Sequence, residues 1–211
     1  MDQSEVIPIN DTLAINKNAS SFKDIFDAGN MAIIQGIGYP NSNRSHFRGM
    51  DIWHTCEPDK VGNDGWLGLA LRELDPSAEN VLTGVNIGQG LPRAMAVSGV
   101  PVTSISDLET YGVMNSIERQ KLKEKSIQAF KDIYGQAIGS GKVSEYIGKT
   151  GLDVLKGADM LNEVAANYQS NVEYAENQIS NNLKDIARIH TSDLGTRIFY
   201  TQRGSFDTHS G

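Results

Sequence analysis

Met31-Ala32-Ile33-Ile34-Gln35-Gly36-Ile37 is an apolar run without alternation. A strand with one wet face alternates apolar and polar residues. A continuous run predicts a strand covered on both faces, as in a parallel sheet flanked by helices. The preceding residues fit that unit. Ser20-Ser21 reads as the N-cap of a short helix, Phe22 to Ala28, with Phe22, Ile25 and Phe26 on one face, and Gly29-Asn30 ends it. Helix, turn and apolar strand make half of a βαβ unit, so the fold class is α/β. Ile198-Phe199-Tyr200-Thr201 reads as a last strand. Polar stretches follow both runs, Tyr39 to Phe47 and Gly204 to His209, where α/β proteins place their chemistry.

The 211 residues suffice for one sizeable core, with or without a helical insertion. A net charge of -7 argues against general nucleic-acid binding, which needs a basic face. The single cysteine, Cys56, excludes an internal disulfide and a multi-cysteine zinc site, and reads as a small apolar side chain near a helix end. No transmembrane segment is present, and residues 1–10 are acidic without the apolar stretch of a signal peptide.

In chain order, Ile7, Ile9, Leu13 and Ile15 alternate as a short edge strand or extended arm. Phe47, Met50 and Trp53, spaced by three, predict a helix from Arg44 to about Thr55 with Ser45 and His46 in its first turn. Trp66 to Leu74 is a second helix, stopped by Asp75-Pro76. Val81 to Ile87, Ala94 to Val97 and Val100 to Ile105 look like strands. Gly88-Gln89-Gly90 lacks the third glycine and following helix of a dinucleotide fingerprint and reads as a hairpin-type loop. Ser106 to His190 is almost all helix. One amphipathic helix carries Ile117, Leu122, Phe130 and Ile133. After a break at Gly135 to Gly141, apolar residues recur from Leu161 to Ile186 over about seven turns. This pattern predicts one long helix, or two in line, on the domain's own core or over a site, rather than a coiled coil, because complementary flanking charges are not evident. The expected division is a first part of the α/β core at 1–105, a helical insertion at 106–190, and a return strand and site loop at 191–211.

Two groups of residues can carry chemistry. Asp207 and His209 stand two apart beyond a strand, a spacing that puts a carboxylate oxygen and an imidazole nitrogen on one divalent metal; an Asx-turn with a surface histidine is the alternative. Ser45 is a nucleophile or an anion cradle at a helix N-terminus, beside His46 and after Asn41 and Asn43; the alternative is a plain N-cap behind turn residues.

The run from Met31 to Trp53, with Gly65-Trp66-Leu67-Gly68 and Phe206-Asp207-Thr208-His209, resembles the DUF1501 family of bacterial proteins. That resemblance implies an alkaline-phosphatase/sulfatase-like fold: a mostly parallel sheet with flanking helices and a long helical insertion. It implies a metal-dependent hydrolase of small phosphate or sulfate esters, with zinc, calcium or manganese as the divalent metal. Ser45 and His46 match the catalytic positions, Asn41, Asn43 and Arg44 the substrate-binding ones, and Asp207 and His209 a metal-ligand pair. Export by the twin-arginine route is also implied, placing the full-length protein in the periplasm or outside the cell. The chain departs from the family pattern in lacking a Gly-Gly-x-Asp-Gly type first strand and a later Asp-His-Gly segment, and in carrying Ser205 where glycine is commoner. The expectation is therefore an incomplete domain with a partial metal site and only background turnover. Two other readings stand beside it: an exported binding or assembly protein that keeps the fold without catalysis, and a helical adaptor built on residues 115–190.

Overall fold

The structure, a computed structural model, describes residues 3–42, 44–112, 117–161, 164 and 168–204. It is mixed α/β and divides into two compact units, residues 1–42 and 43–211.

In the first unit, β1 (Val6–Pro8) and β2 (Ala14–Asn16) form an antiparallel hairpin with Ile7 opposite Ile15. The Asn10 carboxamide closes the turn by accepting the Thr12 and Leu13 N–H groups, each at 2.9 Å. The alternating segment is thus a two-stranded arm. Helix α1 (Ser20–Asp27) follows, with Ala19 rather than a serine at its N-cap. The Met31 to Ile37 run does not form the expected strand. It has no regular structure, and Ile34 is 74% exposed. Extended backbone becomes a strand only when a neighbour takes its N–H and C=O groups. The unit's described strands, β1 and β2, pair with each other, and Gly36 at φ 70° turns the chain out of extended geometry.

In the second unit, β3 (Gly84–Ile87) is the fully buried centre of a three-stranded parallel sheet. β4 (Thr103–Ile105) and β5 (Ile198–Tyr200) flank it, and Val85 pairs with Thr103 on one side and Phe199 on the other. Two expectations change here. Gly88-Gln89-Gly90 is no hairpin loop: β3 and β4 run parallel, so residues 88–102 make the longer crossover that parallel strands need. The Ala94 to Val97 segment is not a strand. Arg93–Met95 is a 3-10 turn after Pro92, and Ala94 and Met95 are buried by packing rather than by strand pairing.

The sheet core joins Val81, Leu82, Val85, Ile87, Ile105 and Leu108 to Leu161, Val164 and Ile189. The last three lie in the helical stretch. Helix α4 (Gln120–Ala137) packs on α5 (Lys142–Leu161), and α6 (Gln178–His190) brings Ile189 to the sheet. The apolar period from Leu161 to Ile186 is not one continuous helix, because residues 168–177 are non-helical. Asn177 restarts the helix as a true cap, its side chain accepting the Ser180 N–H at 3.0 Å. No helix among the described residues is long and apolar enough to cross a membrane.

Helix α3 (Trp66–Leu74) ends where Asp75-Pro76 predicted. The Asp75 carboxylate then gathers the loop into β3. It accepts the Asn80 N–H at 3.0 Å, the Glu79 N–H at 3.3 Å, and the hydroxyls of Thr83 and Ser77 at 3.2 and 3.3 Å. The Asn80 hydrogen bond first, then the others, hold its pKa below the ordinary 3.8. A lowered carboxyl pKa contributes stability above the unfolded value and loses it as pH falls through the folded one. Denaturant midpoints of the chain should therefore drop below pH 3.8 more steeply than those of Asp75→Asn. Parallel curves for the two proteins would sink this assignment.

Candidate functional site

Helix α2 (His46–Thr55) carries the first group of predicted residues. Ser45 is its N-cap, at φ -82° and ψ 122°, with its hydroxyl accepting the Arg48 N–H at 3.3 Å. His46 is the first helical residue and is exposed. Arg44, just before the cap, is exposed at φ 60°. The structure thus brings Arg44, Ser45 and His46 to one helix N-terminus. Asn41, exposed at φ 58°, belongs to the first unit. Asn43, Asp207 and His209 lie outside the described residues. As a cap, Ser45 contributes about 1 kcal/mol. Ser45→Ala should lose that much in urea unfolding and Ser45→Asp should restore it, whereas a loss in both would argue against the cap.

The apolar spacing of α2 does not mark its buried side. Phe47 is 92% exposed and Trp53 59% exposed, and Ile52 and Thr55 are buried instead. Cys56 ends the helix in the left-handed region, at φ 57°, and is exposed rather than packed.

The inner side of α2 carries charge. Asp51 pairs with Arg48 one turn back and with Arg93 from the 3-10 turn, whose Nη1 stands 2.9 Å from Asp51 Oδ1. That oxygen accepts no directed hydrogen bond, so the Arg93 contact is ionic. Arg48 Nη2 also donates to the carbonyls of Glu57, Pro58 and Lys60 at 2.8, 2.9 and 2.7 Å, fixing the loop beyond the helix. In the last turn, His54 Nε2 lies 3.4 Å from the hydroxyl of Tyr200, the final residue of β5. Burial first, then the Arg93 charge, lower the His54 pKa from 6.5 against the opposing pull of Asp51. The imidazole is therefore neutral at pH 7. Nine residues separate Ser45 from His54, about 13 Å of helix rise, so α2 presents the two at opposite ends.

Tyr200 opens onto a cleft of about 470 Å³. The cleft lies at the carboxyl ends of β3 and β5 and is closed on one side by α6. Parallel strands leave their ligand crevices at that end. Two buried carboxamides brace the floor. Asn86 donates to the Gly90 carbonyl at 2.8 Å, and Asn182 donates to Thr201 Oγ1 at 2.8 Å. Their amide N–H groups are satisfied, as burial requires. Toward the opening stand Gln178, Gln202 and Arg203. Among the described lining residues Arg203 is the one charged side chain; none is acidic, in a chain of net charge -7. Gly204 lines the cleft as well, three positions before Asp207 in the sequence. Among the described residues, no three His, Cys, Asp or Glu side chains come together as a metal site.

Comparison of the chain with protein-family models, with curated proteins and with solved structures finds no match.

Sequence reasoning passed over Asn86, Asn182, His54, Tyr200 and Arg203. One signal was available. Asn86 interrupts the apolar run Val81 to Ile87, and a polar residue in a buried strand must find partners. His54 and Tyr200 had none, since 146 residues separate them.

Proposed function

We propose that the chain belongs to a metal-assisted hydrolase of small anionic esters, of the alkaline-phosphatase/sulfatase-like type that its motifs resemble. The observation that carries this reading is the cleft: open at the carboxyl ends of parallel strands, with Arg203 and no carboxylate among its described lining residues. An anion entering it meets a cation and neutral hydrogen-bond donors, with no like charge among the described walls. Asp207 and His209 would hold a zinc, calcium or manganese ion, which would polarise the ester oxygen when bound. The resemblance marks Ser45 as nucleophile, with His46 beside it and Asn41, Asn43 and Arg44 as ester-binding residues. Ser45 and His46 stand at the other end of α2 from the His54 that meets Tyr200, so the cleft supports the anion-binding part of the reading and the nucleophile rests on the resemblance.

Metal uptake tests the reading. After loading and dialysis the chain should retain one of these metals, and Asp207→Ala and His209→Ala should lose it. Uptake unchanged in Asp207→Ala would sink the metal site. Ester turnover above background that Ser45→Ala abolishes would establish the full reaction in this chain and overturn the expectation of a partial site.

A second reading, a non-catalytic binding or assembly protein, is favoured by the exposed apolar side chains of α2. Phe47, Met50 and Trp53 stand on the surface just after the Asn41 to His46 stretch. Metal-free protein in which Asp207→Ala changes nothing but stability supports it.

A further inference from the structure

The walls of the cleft hold one hydroxyl on a prepared support. Tyr200 Oη donates its proton to Gln202 Oε1 at 3.1 Å. A phenol has a single proton to give. The second contact of that oxygen, with His54 Nε2 at 3.4 Å, therefore has the imidazole as donor. This assigns His54 the Nε2–H tautomer. The neutral ring grips the phenol oxygen without taking its proton. Asp51 and Arg93 are the charged groups whose fields reach that ring, and they pair with each other. Burial also raises the Tyr200 pKa, so the hydroxyl stays protonated at neutral pH.

We propose that Tyr200 is an oxyanion-binding residue of the cleft: its O–H turns from Gln202 to an oxygen of a tetrahedral anion held by Arg203, while His54 positions the phenol by donating to it. The inference rests on the anion reading of the cleft and does not require the metal or Ser45. Gln202 is the resting acceptor, and its exposed carboxamide exchanges that bond for water when the anion arrives. A donor already accepting a hydrogen bond is polarised, so the His54 contact strengthens the bond that Tyr200 makes. Hydrogen bonds to charged partners are the strong ones, which sets the expected effect of losing this one at roughly tenfold to a hundredfold in affinity.

The test is a titration of the whole chain with inorganic phosphate, followed by calorimetry and by the ¹³Cζ resonance of labelled tyrosine. Phosphate should bind and shift the Tyr200 resonance. Tyr200→Phe should weaken binding by about tenfold or more, and Arg203→Met should do the same. His54→Gln, which keeps a donor at the same reach, should hold affinity near the original. His54→Leu should lose it and also lose the resonance shift, although both variants disturb packing alike. Phosphate binding that is absent, or equal in Tyr200→Phe and the parent chain, overturns the inference. Tyr200-dependent phosphate binding without Asp207-dependent metal uptake upholds it while sinking the hydrolase, so the two failures are distinguishable.

Discussion

Gly65→Ala is expected to cost about 3 kcal/mol, at the upper end of what an overfilled site costs. Gly65 is the N-cap of α3, at an ordinary φ of -77° and ψ of 137°, so backbone freedom is not the reason. The reason is proximity. A Cβ there would lie 2.0 Å from the Arg93 carbonyl oxygen and 2.2 Å from that of Ala94. Both are backbone atoms and cannot rotate away as a side chain could. The Gly65 N–H also donates to the Ala96 carbonyl at 2.9 Å, so any shift that relieves the clash breaks this bond. The 3-10 turn carries Arg93, which faces Asp51, so the damage would reach the charged side of α2. Urea unfolding measures it: the midpoint should fall with an unchanged slope. Gly49→Ala is the internal control. Gly49 lies inside α2 with nothing within 4 Å of its added Cβ. That change should gain about 0.5–1 kcal/mol, the helix preference of alanine over glycine. A cost below about 1 kcal/mol for Gly65→Ala would mean that α3 and the turn are not in close contact.

Arg188→Met should cost about 3 kcal/mol, the scale of removing one partner from a buried ion pair. The Arg188 side chain is 9% exposed, and it meets Glu109 at 2.6 Å and Asp185 at 3.3 Å. Asp185 in turn accepts the Leu108 N–H at 3.4 Å, so α6 is tied to the segment that leaves β4. Without the guanidinium, Glu109 returns to water but the largely buried Asp185 loses its cation. Adding Asp185→Asn removes that stranded charge and keeps an oxygen for Leu108, so the double variant should recover most of the loss. The pH dependence has a definite sign. Burial raises the Asp185 pKa above 3.8. A raised carboxyl contributes stability below its unfolded pKa and loses it as pH rises through the folded one. The deficit of Arg188→Met should therefore shrink as pH is lowered toward 4. A deficit that is constant with pH, or undiminished in the double variant, would place the cost in packing of the arginine stem instead.

Local chemistry was legible wherever a few neighbouring residues decide the outcome. Helix α3 begins and ends as its apolar spacing and Asp75-Pro76 indicate. Ser45 caps α2, and Ile198 to Tyr200 forms the last strand, parallel to β3. Met31 to Ile37 shows where such reasoning stops. Its composition states that it needs cover on both faces, but cover is a property of other segments. Phe47, Met50 and Trp53 repeat the lesson, since a three-residue spacing locates a helical face without saying what lies against it. The candidate site was legible only in its stretches. The last strand pointed to the end of the sheet where the cleft opens, yet none of the cleft's polar groups was named in advance.

By itself, the sequence determined which stretches are helix or strand near Trp66, Gln120 and Ile198, that the class is α/β, and that the chain is acidic. Capping, turn and periodicity rules act over a few residues, so these features need no knowledge of the rest of the molecule. Tertiary structure alone decided that β3 lies between β4 and β5, that α5 and α6 complete the core, and that His54 meets Tyr200 beside a cleft whose described walls carry Arg203 and no carboxylate. Those outcomes depend on which distant segments exclude water together, and that is settled by packing across the whole fold.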